Sequence, residues 1–447
     1  MPQTAAFSYP FATLQQLAAD VLKHAQAKGA TACEVDVSEG FGQAVTVRCD
    51  EVETIEFNRD KGIGITVYSG QRKGYASTSD FSAQALRDTV EAALNIARFT
   101  AEDDCAGLAD AELMAKECPE LDLYHPWSLS VEDAIATARR CEQAAYAASP
   151  LISNSDGATV STQQAHFVSA NSLGFMAGYP TSRHYISCSM IAGEQDAMQR
   201  DDWYTTNRNA ALLDAAEQVG QIAAERAVAR LGARKIKTGE FPVLFEAPLA
   251  AGLLGSLVHA ASGGALYRKA SFLQGALGQQ IMPSFVQISE RPHIKGGLGS
   301  SAFDSDGVVT RDREVVTDGV LQGYFLSAYT ARKLGMQTTG NAGGSHNLII
   351  QPGDLDFQGL LARMGRGLLV TELLGHGINY VTGDYSRGAA GFWVENGKIA
   401  HPVEEITIAG NLKNMLAGIT AVGRDVHIRG TKQTGSILID RMTVAAG

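Results

Sequence analysis

The amino-acid sequence predicts an α+β chain, with an N-terminal antiparallel sheet and its helices followed by a β-rich C-terminal domain. Three patterns carry that expectation. Segments of period-two alternation recur about every ten residues between 33 and 80, the spacing of an antiparallel meander. Runs with helical periodicity flank them on both sides. Beyond residue 235, short strands punctuated by glycine become the rule.

Taken in order, residues 12–28 form an amphipathic helix through Leu14, Leu17, Ala18, Val21, Leu22 and Ala25, stopped by Gly29. CEVDVSEG, QAVTVRCD, TIEFNR, GIGITVYSG and GYASTSD follow as strands, parted by glycine-containing or charged turns, and Ser82 to Ala97 returns to helix. Residues 100–128 are polar and acidic, an exposed connection that would split the N-terminal part into two subdomains. SVEDAIATARRCEQAAYAAS is the next helix, with Ser130 as N-cap and Asp133 three residues on. A hairpin is expected around Ser155-Asp156-Gly157, two more strands in FMAGYPTSRHYISCSMIAGE, and a long helix over 210–231 ended by Gly232.

The main boundary falls near 235, giving domains 1–235 and 236–447. KTGEFPVLFE enters the second domain as a strand, and a helix covers 248–261. Turns are expected at Asp304-Ser305-Asp306-Gly307 and Asp318-Gly319, a hairpin at Asn396-Gly397, and a short helix around Asn411 to Leu416.

Composition narrows the function. The 447 residues are 45% hydrophobic with a formal charge of −11 and no Lys/Arg run, which argues against binding nucleic acid or an anionic membrane. No basic leader or long apolar window occurs, so the expected location is the cytoplasm. Cys33, Cys49, Cys105, Cys118, Cys141 and Cys188 form no CxxC pair and read as reduced structural thiols.

Several constellations could carry chemistry. TTGNAGGSHNLII presents Gly343, Gly344, Ser345, His346 and Asn347 in a glycine-rich loop whose N–H groups could cradle an anion or a peptide terminus. Ser345 and His346 lack the GxSxG elbow of a serine hydrolase. GGLGSSAFDSDG imitates parts of a dinucleotide loop and of a calcium loop without completing either. Glu372 and His376 in TELLGHG have the spacing of ligands on one helix face. Asp384 and Arg387 flank Tyr385 in a glycine-bounded loop, as a structural ion pair or a peptide-contacting rim. His259 lies within GLLGSLVHAASGGALYRKASF, but from Ala247 to Ser289 there is no Asp or Glu. A zinc hydrolase needs a carboxylate to take the proton from metal-bound water, so His259 reads as a core or groove residue.

SERPHIKGGLGSSAFDSDGVVTRD, TTGNAGGSHNL and VTGDYSRGAAGFWVENGKIAHPVEEITIAGNL together resemble the PmbA (TldE) branch of the TldD/PmbA family, the modulators of DNA gyrase, over essentially the whole chain. The resemblance implies a cytosolic metalloprotease built from two related chains. In the TldD-like chain an HExxxH helix and a later cysteine hold zinc. Aligned on Arg268-Lys269, the motif's first His falls on Gly255, its Glu on Ser256, its second His on Ala260, and the cysteine near Ala389.

The resemblance therefore implies a zinc-less subunit with no catalytic or metal residue of its own, zinc being expected in a TldD-like partner. Its substrates would be unfolded peptides, as in peptide maturation and antitoxin degradation, with 343–347 and 384–387 as the peptide-binding rim. The alternatives are a non-catalytic homodimer that binds peptides as a chaperone does, and a zinc-independent hydrolase using Ser345, His346 or Asp384.

Overall fold

The computed structural model describes residues 6–446; the first five residues of the stretch searched for a leader, and Gly447, lie outside it. The N-terminal elements are α1 (Phe11–Ala27), β1 (Ala32–Arg48), β2 (Glu51–Ser69), β3 (Arg72–Thr78) and α2 (Ala83–Phe99). After the connection come α3 (Val131–Ala148), β4 (Ile152–Asn171), β5 (Met176–Ala177), β6 (Pro180–Ala192), β7 (Gln199–Asn207) and α4 (Ala216–Ala229). One sheet in the order β3-β2-β1-β4-β6-β7 runs through both halves, so the described residues up to 235 share a single antiparallel backbone. Alternate residues of β1 supply two cores on one face: Val35 and Val37 pack with α1 and α2, Val45 and Val47 with α3 and α4. The helices start at their serines: the Ser82 hydroxyl accepts from the Ala85 N–H, and that of Ser130 from the Asp133 N–H.

The strands differ from the expected meander in one instructive way. β1 and β2 run unbroken past Gly40, Gly42, Gly62 and Gly64. A Cβ on Gly42 would lie 2.3 Å from the Gln163 side chain, and one on Gly64 would lie 3.0 Å from the Tyr75 hydroxyl. These glycines make room for cross-strand neighbours instead of turning the chain. The actual turn is Cys49-Asp50, both with positive φ (52° and 64°), as a two-residue hairpin requires. Ser155-Asp156-Gly157 is likewise a bulge inside β4, with Gly157 at φ 113°, and not a hairpin. Helix α4 begins at Ala216, after a 3₁₀ turn at Ala210–Leu212.

In the C-terminal part, β8 (Gly239–Phe245) leads directly into α5 (Ala247–Ala260) and α6 (Gly263–Tyr267). Then follow β9 (Ile288–Glu290), β10 (Arg313–Thr317), β11 (Val320–Leu321), α7 (Ala328–Leu334), β12 (Leu348–Ile350) and α8 (Phe357–Met364). The chain ends with β13 (Gly367–Leu374), β14 (Ile378–Asn379), β15 (Asp384–Glu395), β16 (Lys398–Asn411), α9 (Leu412–Ala417), β17 (Ile419–Val422), β18 (Lys432–Gln433) and β19 (Ile437–Ala446). β9 sits inside a mixed sheet ordered β11-β10-β9-β12-β18. The other sheet, β13-β8-β19-β16-β15-β14, is closed by an additional β13–β15 pairing. Asp318-Gly319 and Asn396-Gly397 are tight turns with positive φ at both residues.

The connection at 100–128 is exposed at many positions, yet it is a strap tied to the second domain. Arg332 donates to the carbonyls of Cys105, Gly107 and Leu108, and Asp103 accepts from Tyr329 and Lys333. Met114, Leu121 and Leu123 are buried in one cluster with Phe303 and Val308. All six cysteines are unpaired. Among the described residues no helix is long and apolar enough to cross a membrane.

Candidate functional site

Helix α5 is the element on which the zinc motif of the resembled family would fall. It is apolar almost throughout, and Leu253, Leu254, Leu257 and Ala260 are buried. Its start is gripped from the other domain: both oxygens of Glu246 accept from Arg226, at 2.9 and 3.0 Å, and Asp201 accepts from the same guanidinium at 3.0 Å. One side of the helix is open. A Cβ on Gly252 or Gly255 would meet nothing within 4 Å, and His259, one turn further along that stripe, is exposed. His259 is therefore a surface residue and not a core one. Its imidazole lies on the Tyr380 ring with centroids 3.9 Å apart. The Ser256 hydroxyl donates to the Gly252 carbonyl at 3.1 Å and lies 3.5 Å from the Tyr380 hydroxyl.

Zinc does not fit this donor set. Gly255 and Ala260 offer no ligand atom, the Ser256 hydroxyl is engaged with its own helix, and Ala389 is a buried methyl on β15. The Glu372–His376 helix is not formed. Glu372 is on strand β13 and pairs with Arg230, while His376 is in the exposed loop after that strand. Among the described residues one group of three metal-capable side chains lies close together, Asp103, Asp104 and Cys105, and it is on the strap, with Asp103 already held by Lys333 and Tyr329.

The segment 384–387 belongs to strand β15 and is not a loop, because β14 and β16 flank it: Asn379 pairs with Asp384, and Ile378 with Tyr385. That pairing sets Tyr380, and so His259, beside this strand. Asp384 does not pair with Arg387; its carboxylate accepts from Thr382 and Asn411, and these bonds hold it below the usual carboxylate range. Tyr385 is buried, and the buried Arg387 Nε has no partner. Tyr380 escaped the sequence reading. Its only signal was an aromatic residue inside the glycine-bounded stretch GHGINYVTGD.

The glycine loop is an anion nest, but its anions are the chain's own. Glu290 on β9, 1% exposed, accepts from the His346 N–H at 2.7 Å and from Asn341 Nδ2 at 2.8 Å. Asp304, 4% exposed, accepts from the N–H groups of Asp306, Val308 and Ala342. Gly343 and Gly344 take φ of 97° and 118° to make this path, and Asn347 bridges Arg291, Gly299 and Ser300. His346 Nε2 is spent on the Gly340 carbonyl at 3.0 Å, so it is not a base for Ser345, whose buried hydroxyl has no partner. No hydrogen bond among the described residues ties this loop to α5 or β15.

Burial and the Asp306 carboxylate push Asp304 up to about 7, against its three N–H donors. A raised acid holds its proton in the folded chain where the unfolded chain has released it, so its contribution to stability falls as pH rises and levels off above its folded pKa. Compared with Asp304→Asn, the natural chain should lose about 2–3 kcal/mol between roughly pH 5 and pH 8, read from urea midpoints. A difference independent of pH would contradict this.

Comparison with known proteins places these features in a family. The PmbA/TldA metallopeptidase domain 1 matches residues 33–97, the central domain 124–231 and the C-terminal domain 238–446. The chain is 49% identical to the metalloprotease PmbA of Escherichia coli O157:H7 over 92% of both chains. It is 47% identical to a PmbA homologue of Haemophilus influenzae over 97% of this chain and 96% of that one, and 24% identical to that organism's TldD homologue over 82% and 80%. In structure it is similar to a candidate modulator of DNA gyrase from Bacteroides thetaiotaomicron, with a TM-score of 0.92 at 27% identity over 97% and 99% of the chains. The TldE of Thermococcus kodakarensis, 19% identical over 96% and 100%, has the same fold with a TM-score of 0.85. With all three domain models matched in order and almost half its residues shared with PmbA relatives, the chain belongs to the PmbA/TldD metallopeptidase family, in its PmbA branch.

Proposed function

We propose that this chain is the zinc-less PmbA/TldE-type subunit of a heteromeric metallopeptidase of the cytoplasm. A TldD-like partner supplies the zinc and the glutamate base. This chain stabilises that partner and forms one wall of a cavity that admits extended, unfolded peptide. The observation that carries the reading is helix α5: its Gly255, Ser256 and Ala260, with Ala389 beyond, lack every donor a hydrolytic zinc site needs, while its Gly252–His259 side is open to a neighbour. Peptide would be held by strand addition and by the rim of β15 from Asp384 to Arg387, with Tyr380 and His259 beside it. The loop at Gly343–Asn347 stands apart from this rim, with its His346 N–H committed to Glu290 and the preceding Ala342 N–H to Asp304.

The test compares hydrolysis of an unfolded peptide by this chain, by a TldD-like protein and by their mixture, with zinc measured in each. Turnover is expected only in the zinc-containing mixture, with no zinc retained by this chain. Chelator-sensitive cleavage by the chain alone would overturn the proposal. Tight peptide binding by the chain without a partner would favour the homodimeric binding protein instead. An influence on gyrase would run through proteolysis of gyrase-directed peptides; retardation of duplex DNA by this acidic chain at physiological salt would contradict that.

A further inference from the structure

The face of the N-terminal sheet that carries two helix-covered cores has a gap between them. Val35 and Val37 of β1 pack with α1 and α2, and Val45 and Val47 with α3 and α4, so the residues between them on that face are Glu39, Phe41 and Gln43. Strand register sets a rung of side chains across the gap. Phe57 of β2 stands opposite Gln43, Gln43 opposite Thr162 of β4, and Thr162 opposite His184 of β6. His184 Nε2 donates to the His125 carbonyl at 2.8 Å, so Nδ1 of the neutral ring accepts from the Thr162 hydroxyl at 2.9 Å. Burial keeps that ring neutral by holding its pKa below the usual histidine range. On the next rung, Gln164 accepts from the Tyr124 hydroxyl. Gln43 is left over: it is 8% exposed, and its buried Nε2 has no partner. A buried donor without an acceptor carries a free-energy cost that a bound acceptor would offset.

Gln43 belongs to the wall of a cavity of about 480 Å³, a volume within the range of small-molecule sites. Phe41, Phe57, Trp127 and Leu129 supply its apolar surface. Trp127 is set by an edge contact with the His184 ring, their centroids 5.4 Å apart. Among the described residues Glu132 is the one charged side chain of the lining, and no Lys or Arg reaches it. We propose that this cavity binds a small, uncharged aromatic molecule carrying a carboxamide. The ring suits the four apolar side chains. The carboxamide meets the Gln43 amide end to end, its carbonyl accepting from Nε2 and its N–H donating to Oε1. A carboxylate is disfavoured, because the lining holds an acid and no cation to pair with it. The site uses neither α5 nor β15, so it holds or fails independently of the proposed peptidase role.

The experiment is calorimetric titration of the full chain with benzamide and with benzoate, which share a shape and differ in charge. Benzamide is expected to bind with a Kd of about 1 mM or below, and benzoate about tenfold more weakly or worse. Gln43→Leu should weaken benzamide binding about tenfold. The same variant should leave the urea midpoint unchanged or higher, since it removes a buried donor that has no partner, so its loss of affinity is not loss of fold. Ser128→Trp, at an exposed position of the lining, should abolish benzamide binding by filling the cavity. No heat from benzamide at several times the expected Kd, equal affinity for benzoate, or benzamide affinity that survives both substitutions would each overturn the proposal.

Discussion

Replacing Glu290 by Ala is expected to destabilise the chain by about 3–5 kcal/mol, because it removes the counter-ion of a buried cation and two further acceptor sites at once. Glu290 is 1% exposed and accepts from Arg313 Nε at 2.6 Å, from Asn341 and from the His346 N–H. Arg313 has little to fall back on. It donates to the Tyr324 carbonyl and lies over the Phe325 ring, while its buried Nη2 already lacks a partner. Glu290→Gln should cost less, since one oxygen still accepts, but it turns an NH₂ group toward donors. Replacing Glu290 and Arg313 together by Met should be milder than Glu290→Ala alone, because no charge is then left buried and unpaired. Urea unfolding measures all three, and hydrogen exchange at the His346 amide reports the loop itself. If Glu290→Ala left the midpoint unchanged, the nest would not be held by this carboxylate.

The same carboxylate marks where reading the sequence reaches its limit. Local chemistry was legible: Ser130 caps its helix, and Asp318-Gly319 and Asn396-Gly397 turn the chain, because each of those choices depends on neighbours in sequence. Even the nest in TTGNAGGSHN was legible as backbone geometry. What filled it was not, since Glu290 is more than fifty residues from His346. Gly42 and Ser155-Asp156-Gly157 misled for a related reason. Glycine serves a turn, a bulge or a crowded strand equally well, and only the side chain across the sheet decides which. Glu372 matched a helical ligand spacing with His376, yet Leu368, Leu369 and Val370 before it pair as strand with Val243, Leu244 and Phe245. The lack of an HExxxH pattern on α5 was readable, because it is a matter of which residues stand at Gly255, Ser256 and Ala260.

Arg226→Met is expected to cost about 3–5 kcal/mol and to loosen the C-terminal domain from the sheet before it. Arg226 stands on α4 and Asp201 on β7, while Glu246 begins the C-terminal helix α5, so one guanidinium joins both domains. Asp201 and Glu246 are 9% and 13% exposed, too little for water to replace the cation. The pH dependence follows from Glu246. Burial raises its pKa even against the pull of Arg226, so the folded chain binds its proton more readily than the unfolded chain does. Without Arg226 the charged form is worse still. Protonation as pH falls through the raised folded pKa relieves that cost, so the deficit of Arg226→Met should be largest at neutral pH and shrink in acid. Calorimetry should show one transition for the natural chain and a broadened or divided one for the variant. Because the same contact aims α5, the variant should also lose turnover in the mixture with a TldD-like partner beyond what its folded fraction explains. A variant that unfolds in one sharp step, equally destabilised at both pH values, would mean that the two domains are held together elsewhere.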